Sequence, residues 1–153
     1  MAATSAIKAA IKADLEDING TGIFTTVLAE VGTEPKRYDA MSKPAVFVLR
    51  GEGEDEEQAL GGNTERSASQ DYVLLCATHS ATCYEDMDTL LDDIRNSLQR
   101  SSSSTLSIAE TNYTVQDIKV SWNQTFTEPG IDEGGALAEV NVSVIYRFNA
   151  GSV

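Results

Sequence analysis

Tyr72, Val73, Leu74, Leu75, Cys76 and Ala77 form an unbroken apolar run. Successive side chains of a strand point to opposite faces, so such a run predicts a strand inside a sheet, covered on both sides. Immediately after it, Thr82 and Glu85 have the spacing of a helix capping box, and Met87, Leu90, Leu91, Ile94 and Leu98 recur at helical intervals. Acidic residues gather in the early turns of this helix, and Arg95 and Arg100 lie near its end, as the helix dipole favours. The helix can cover one face of the strand; something else must cover the other.

Reading outward toward the start, Ala3, Ile7, Ala10, Ile11, Leu15 and Ile18 fall on one stripe of a first amphipathic helix. Thr4 or Ser5 suits its N-cap, and Gly20 suits its end. Residues 22–31 contain Ile23, Phe24, Thr25, Thr26, Val27 and Leu28, a β-branched and aromatic stretch that predicts a short strand. Gly32, Pro35 and Pro44 then mark a loop around the basic residues Lys36, Arg37 and Lys43. Residues 45–50 read as a strand that is apolar on both faces. Residues 51–70 are rich in glycine, carboxylates and polar groups, which predicts a long exposed loop between strands.

Toward the end, Ser101 to Ser104 form a serine connector, and Leu106 and Ile108 can start a short strand. Two segments then alternate cleanly. Ile118, Val120, Trp122 and Phe126 oppose Asp117, Lys119, Ser121 and Asn123; Ala138, Val140, Val142, Val144, Tyr146 and Phe148 oppose Glu139, Asn141, Ser143 and Arg147. Pro129, Gly130, Gly134 and Gly135 between them predict an antiparallel hairpin. The expected order is α-β-β-β-α-β-β, an α+β fold with two main helices on one face of a mostly antiparallel sheet.

A chain of 153 residues, 41% hydrophobic and 23% charged, fits one folded domain spanning residues 1–153. The formal charge of −13 opposes approach to a phosphate backbone or an anionic membrane. Met1, Ala2, Ala3, Thr4 and Ser5 carry no basic segment followed by an apolar run, so export is not expected. The Asn-x-Ser/Thr triplets at Asn19, Asn112, Asn123 and Asn141 are accordingly set aside. Cys76 and Cys83, the two cysteines, are expected to be reduced core residues.

Residue types capable of chemistry are present, but their patterns are not those chemistry requires. Cys76, His79 and Cys83 are three potential metal ligands where a closed site wants four, and Cys76 and His79 fall on opposite faces of a strand. The lone histidine lies outside any nucleophile motif. Asp86, Asp88, Asp92 and Asp93 read as a solvated helix face. Gly51, Gly53, Gly61 and Gly62 match no phosphate-binding pattern, and Glu52, Glu54, Asp55, Glu56 and Glu57 lack the alternating Asp/Asn ligands of a calcium loop. No catalytic residue, cofactor or metal is expected.

The first helix ending in Ile18, Asn19 and Gly20, the strand from Pro44 to Leu49, the acidic Gly-rich loop, the stretch from Arg66 to Ala77 leading into the second helix, and the hairpin ending in Val144, Ile145 and Tyr146 together resemble the tail terminator (tail completion) proteins of long-tailed bacteriophages. The resemblance covers most of the chain and lies in element order and apolar pattern. It implies a non-enzymatic virion protein, assembled in the bacterial cytoplasm, that forms a homohexameric ring on the head-proximal end of the tail. Its partners would be copies of itself, the tail tube protein and the head–tail connector protein, with DNA passing through the ring unbound and no membrane involved. Within that frame, Asp117 and Glu139 are candidate lumen charges. Lys36, Arg37 and Arg66 are candidates to pair with Glu54, Asp55, Glu56 and Glu57 across a subunit boundary, and reversing the charges of that acidic loop is expected to impair assembly. A head–tail adaptor, a tail-tube subunit and a small ligand-binding domain are the alternatives.

Overall fold

The computed structural model describes residues 3–17, 26–34, 36–51, 58–59, 65–99, 113–122 and 134–149. The expected helix end at Ile18 to Gly20, the acidic loop at 52–57, Arg100, the serine connector, Leu106, Ile108 and the tip of the last hairpin lie outside the described residues.

The first helix forms as its stripe predicts: α1, Ala3–Glu16, buries Ala6, Ile7, Ala10, Ile11 and Leu15. The strand expected over 22–31 is shorter and later. It is β1, Glu30–Gly32, while residues 22–25 are outside the described range and Thr26 to Ala29 are not strand. Composition suggested a strand here, but the backbone hydrogen bonds go elsewhere. The Thr26 N–H donates to Asp93 Oδ2 at 2.8 Å, and the Ala29 N–H donates to the Pro44 carbonyl at 2.8 Å.

Asp93 therefore departs from its expected place on a solvated helix face: it is buried, and it anchors the segment entering β1. Asp93→Ala leaves the Thr26 N–H without its acceptor, and the loss in unfolding free energy should be about 1–3 kcal/mol in urea titration. Asp93→Asn, which keeps an acceptor oxygen, should lose less.

β2, Ala45–Arg50, occupies the predicted residues and is buried on both faces from Ala45 to Val48. The expected long loop over 51–70 is interrupted by two strands. β3, Gln58–Ala59, pairs with Ser67 and Arg66, and β4 runs from Glu65 to His79 instead of only 72–77. The reason is the partner strand. β6, Gly135–Asn149, pairs with β4 residue for residue from His79 opposite Gly135 to Glu65 opposite Asn149. Ala68, Gln70 and Tyr72 point inward and Ser67, Ser69 and Asp71 outward, so period two was present but concealed by a buried glutamine whose Nε2 donates to the Asp71 carbonyl at 3.1 Å.

α2, Cys83–Gln99, follows. The Asp86 N–H donates to the Thr82 carbonyl at 2.9 Å, and both Ser80 Oγ and Thr82 Oγ1 donate to the Asp86 carboxylate, which ties the helix start to the end of β4. β5, Tyr113–Trp122, forms the predicted antiparallel pair with β6. A register shift between Val115 and Asp117 lets Val115 and Ile118 both face inward.

The sheet order is β1-β2-β4-β6-β5, with β1 and β2 parallel and every other pair antiparallel, and β3 added beside β4. The fold is α+β, and the apolar run from Tyr72 to Ala77 lies in the middle strand. Both helices lie on one face, α1 over β1 and β2, α2 over β4, β6 and β5. They enclose the main core of Ile7, Ile11, Leu74, Leu90, Ile94, Val140 and their neighbours.

Candidate functional site

The cover for the second face of the middle strand comes from the segment between β1 and β2. Tyr38, which begins a short 3-10 turn, and Met41 sit over Ala45, Phe47, Leu75, Ala77 and Leu137. Polar ties hold the segment down. Tyr38 Oη donates to the Thr78 carbonyl at 2.7 Å, Lys43 Nζ donates to the Tyr38 carbonyl at 2.9 Å, and the same ammonium lies 4.3 Å from the Tyr38 ring centre. At the other end, the Glu30 carboxylate accepts from Lys36 Nζ and from the Ser42 N–H, the latter at 3.0 Å.

The Lys36 hydrogen bond, and after it the Ser42 N–H, hold the Glu30 carboxyl below its ordinary value of 4.5. A carboxylate whose folded value is depressed contributes stability that is present above the unfolded value and is lost as pH falls through the folded one. The Glu30 tie should therefore fail only below pH 4.5. Lys36→Met should move the Glu30 titration midpoint upward in side-chain carboxyl NMR; an unmoved midpoint would show that Lys36 does not hold it.

Beyond this strap, no described residue covers the outer face of β4, β6 and β5. Lys119, Ser143 and Asp71 form one row across three strands, so their Cα atoms span about 10 Å, two strand spacings. A shallow groove of about 550 Å³ runs over Gly51, Asp71, Val73, Lys119, Asn141 and Ser143. The candidate lumen residues Asp117 and Glu139 are both exposed on this outer face. They do not adjoin: Asp117 sits opposite Ile145 on β6, six residues from Glu139, or about 20 Å along the strand. Lys119 and Arg147 share the face with Asp71, Asp117 and Glu139, so its described charge is mixed and not uniformly acidic.

Of the candidate contact residues, Lys36 is paired with Glu30 within the chain, and Arg37, strongly exposed, lies 3.6 Å from Asp39. Arg66 is on β4 opposite Phe148. Glu54, Asp55, Glu56 and Glu57 lie outside the described residues.

Cys76 and His79 fall on opposite sides of β4, as their spacing predicts. Cys76 is buried in the main core, where desolvation pushes its thiol far up and keeps it inert, whereas His79 is exposed, with Nδ1 3.3 Å from Tyr38 Oη. Cys83 is buried and free, like Cys76. Asp86, Asp88 and Asp92 are exposed. Among the described residues no group of three or more His, Cys, Asp or Glu could hold a metal ion, and no helix is long and apolar enough to cross a membrane. The ties made by Glu30, Tyr38 and Asp93 were not anticipated; Tyr38 carried a faint signal, an aromatic residue inside a run otherwise rich in loop formers.

No protein-family model matches the chain, and no curated protein sequence matches it. Among solved structures, a chain from the virion of a native gene transfer agent particle is similar, with a TM-score of 0.57 over 95% of this chain and 98% of that one. The two sequences are 11% identical, so the likeness is one of fold.

Proposed function

We propose that this chain is a structural protein of a phage-like virion and, more narrowly, a tail terminator: a non-catalytic subunit of a hexameric ring that caps the head-proximal end of the tail tube and offers the connector a joining surface. The observation that carries the reading is the near end-to-end likeness of fold to a chain of a gene transfer agent virion. Two further features support it. The order of elements and apolar pattern resemble the terminator family along most of the sequence, and one face of the sheet carries no cover from the described residues beyond the strap.

Ring closure needs a head-to-tail contact that repeats until it returns to its start. A subunit of charge −13 suits a passage through which DNA slides, because phosphates are repelled at long range. In this reading Asp117 and Glu139 are candidates to line that passage, and Arg37 and Arg66 are candidates to meet the acidic residues Glu54 to Glu57 of a neighbour, Lys36 being held by Glu30 of its own chain.

The test is light scattering and electron microscopy of the purified chain, alone and mixed with tail tubes from the same virus. Six-membered rings, free or capping one tube end, are the expected result. Open-ended tubes of the chain itself would make it a tube subunit instead. A monomer that never decorates tubes, but is stabilised in a thermal-shift screen by a small molecule, would move the reading to a ligand-binding domain.

A further inference from the structure

Two apolar clusters lie on opposite faces of the sheet, and they differ in what covers them. The main core is enclosed by α1 and α2. The second, Ala45, Phe47, Ala77 and Leu137, is covered by the strap through Met41, with Tyr38 packed against it. Of the described residues between 33 and 44, Met41 is the one that is buried. A segment that sinks so little apolar surface into the protein opens locally at low free energy, because most of what holds it is polar and lies at the surface.

The hydrogen bonds of the strap are of two kinds. Some run within it and give it shape: the Ala40 N–H donates to the Arg37 carbonyl at 2.9 Å, the Met41 N–H to the Tyr38 carbonyl at 3.2 Å, and Lys43 Nζ to that same carbonyl at 2.9 Å. Others attach it to the sheet. Tyr38 Oη donates to the Thr78 carbonyl on β4 at 2.7 Å. The Glu30 carboxylate on β1 accepts from Lys36 Nζ through one oxygen and from the Ser42 N–H through the other, so a single side chain grips the strap on both sides of the turn at 38–40. Arg37 is turned to Asp39 and Lys43 to Tyr38, which leaves Lys36 as the cation that meets Glu30. Hydrogen bonds to an ionised group are roughly twice as strong as neutral ones, which makes Glu30 the firmest of these attachments.

We propose that the strap is a releasable cover: residues 36–43 lift from the sheet while the main core stays folded, and the Glu30 carboxylate is the clasp that sets how often they do. Pro44 is the fixed end, since its carbonyl accepts the Ala29 N–H at 2.8 Å. With the strap lifted, Phe47, Ala77 and Leu137 join Leu49 and Leu75, which are only partly buried when it is closed. Val73, the partner of Leu49, carries this surface on into the groove over Gly51, Asp71 and Asn141. The cover therefore sets how much apolar surface the outer face presents, and it does so whether or not the chain closes into a ring.

Met41 and Met87, both buried, report on the two clusters separately, Met41 under the strap and Met87 in the main core. The full-length chain is treated with dilute hydrogen peroxide, which oxidises an accessible thioether to the sulfoxide, and mass spectrometry follows each residue. Met41 should oxidise faster than Met87 in the wild type. Glu30→Ala removes both bonds of the clasp and should speed Met41 at least about fivefold, the worth of one net hydrogen bond, with Met87 and the circular dichroism unchanged. Lys36→Ala breaks one of the two bonds and should speed Met41 by less. If Glu30→Ala loosens the whole fold and speeds Met87 as well, Lys36→Ala decides: a faster Met41 alone supports the cover, and both residues faster overturns it. Equal rates for Met41 and Met87 in the wild type would mean that the strap opens only with the whole fold, and a Met41 rate that neither substitution changes would mean that Glu30 is no clasp; either result overturns the proposal.

Discussion

Leu90→Ala is expected to lower the unfolding free energy by about 2–5 kcal/mol, the largest effect of any single substitution considered for this chain. Leu90 is completely buried on the sheet-facing side of α2, within the core that also holds Leu74, Ile94 and Val140. Truncation removes the transfer free energy of three carbons and leaves a cavity between a helix and a sheet, two rigid surfaces that relax only partly. In a chain of this length the melting temperature should fall by about 4–20 °C, taking 2–4 °C per kcal/mol. Urea titration should show a lower midpoint with an unchanged slope. A melting temperature within a degree of wild type would mean that α2 does not pack as described.

Leu90 was also among the residues whose place could be read beforehand. The stripe from Met87 to Leu98 had the helical period, and only a helix buries that set together. The doubly apolar run around Leu74 likewise required the middle of a sheet, and it is there. The features that the sequence conceals have a common cause: polar residues whose partners are distant in sequence. Gln70 looked like loop because a buried glutamine breaks the alternation, and nothing nearby showed that β6 was long enough to pair with it. Thr26 looked like strand because its hydrogen-bond partner, Asp93, is 67 residues away.

Gly134→Val should be nearly as costly as Leu90→Ala, for a reason of backbone geometry. Gly134 precedes β6 with φ of 90°, a conformation in which a β-branched residue is a strong outlier and most L residues cost about 1–2 kcal/mol. Its carbonyl accepts the Ser80 N–H at 2.9 Å, which holds the start of β6 against the end of β4. A Cβ at this position would stand 2.9 Å from the Ser80 carbonyl oxygen, a backbone atom that cannot swing aside as a side chain would. Overpacking of that kind adds about 1–3 kcal/mol, so the total is about 2–5 kcal/mol. Gly134→Asn separates the two contributions, because asparagine tolerates positive φ yet still carries the clashing Cβ; it should lose less than valine and more than nothing. If valine and wild type unfold at the same urea concentration, the β4–β6 junction is not fixed through Gly134.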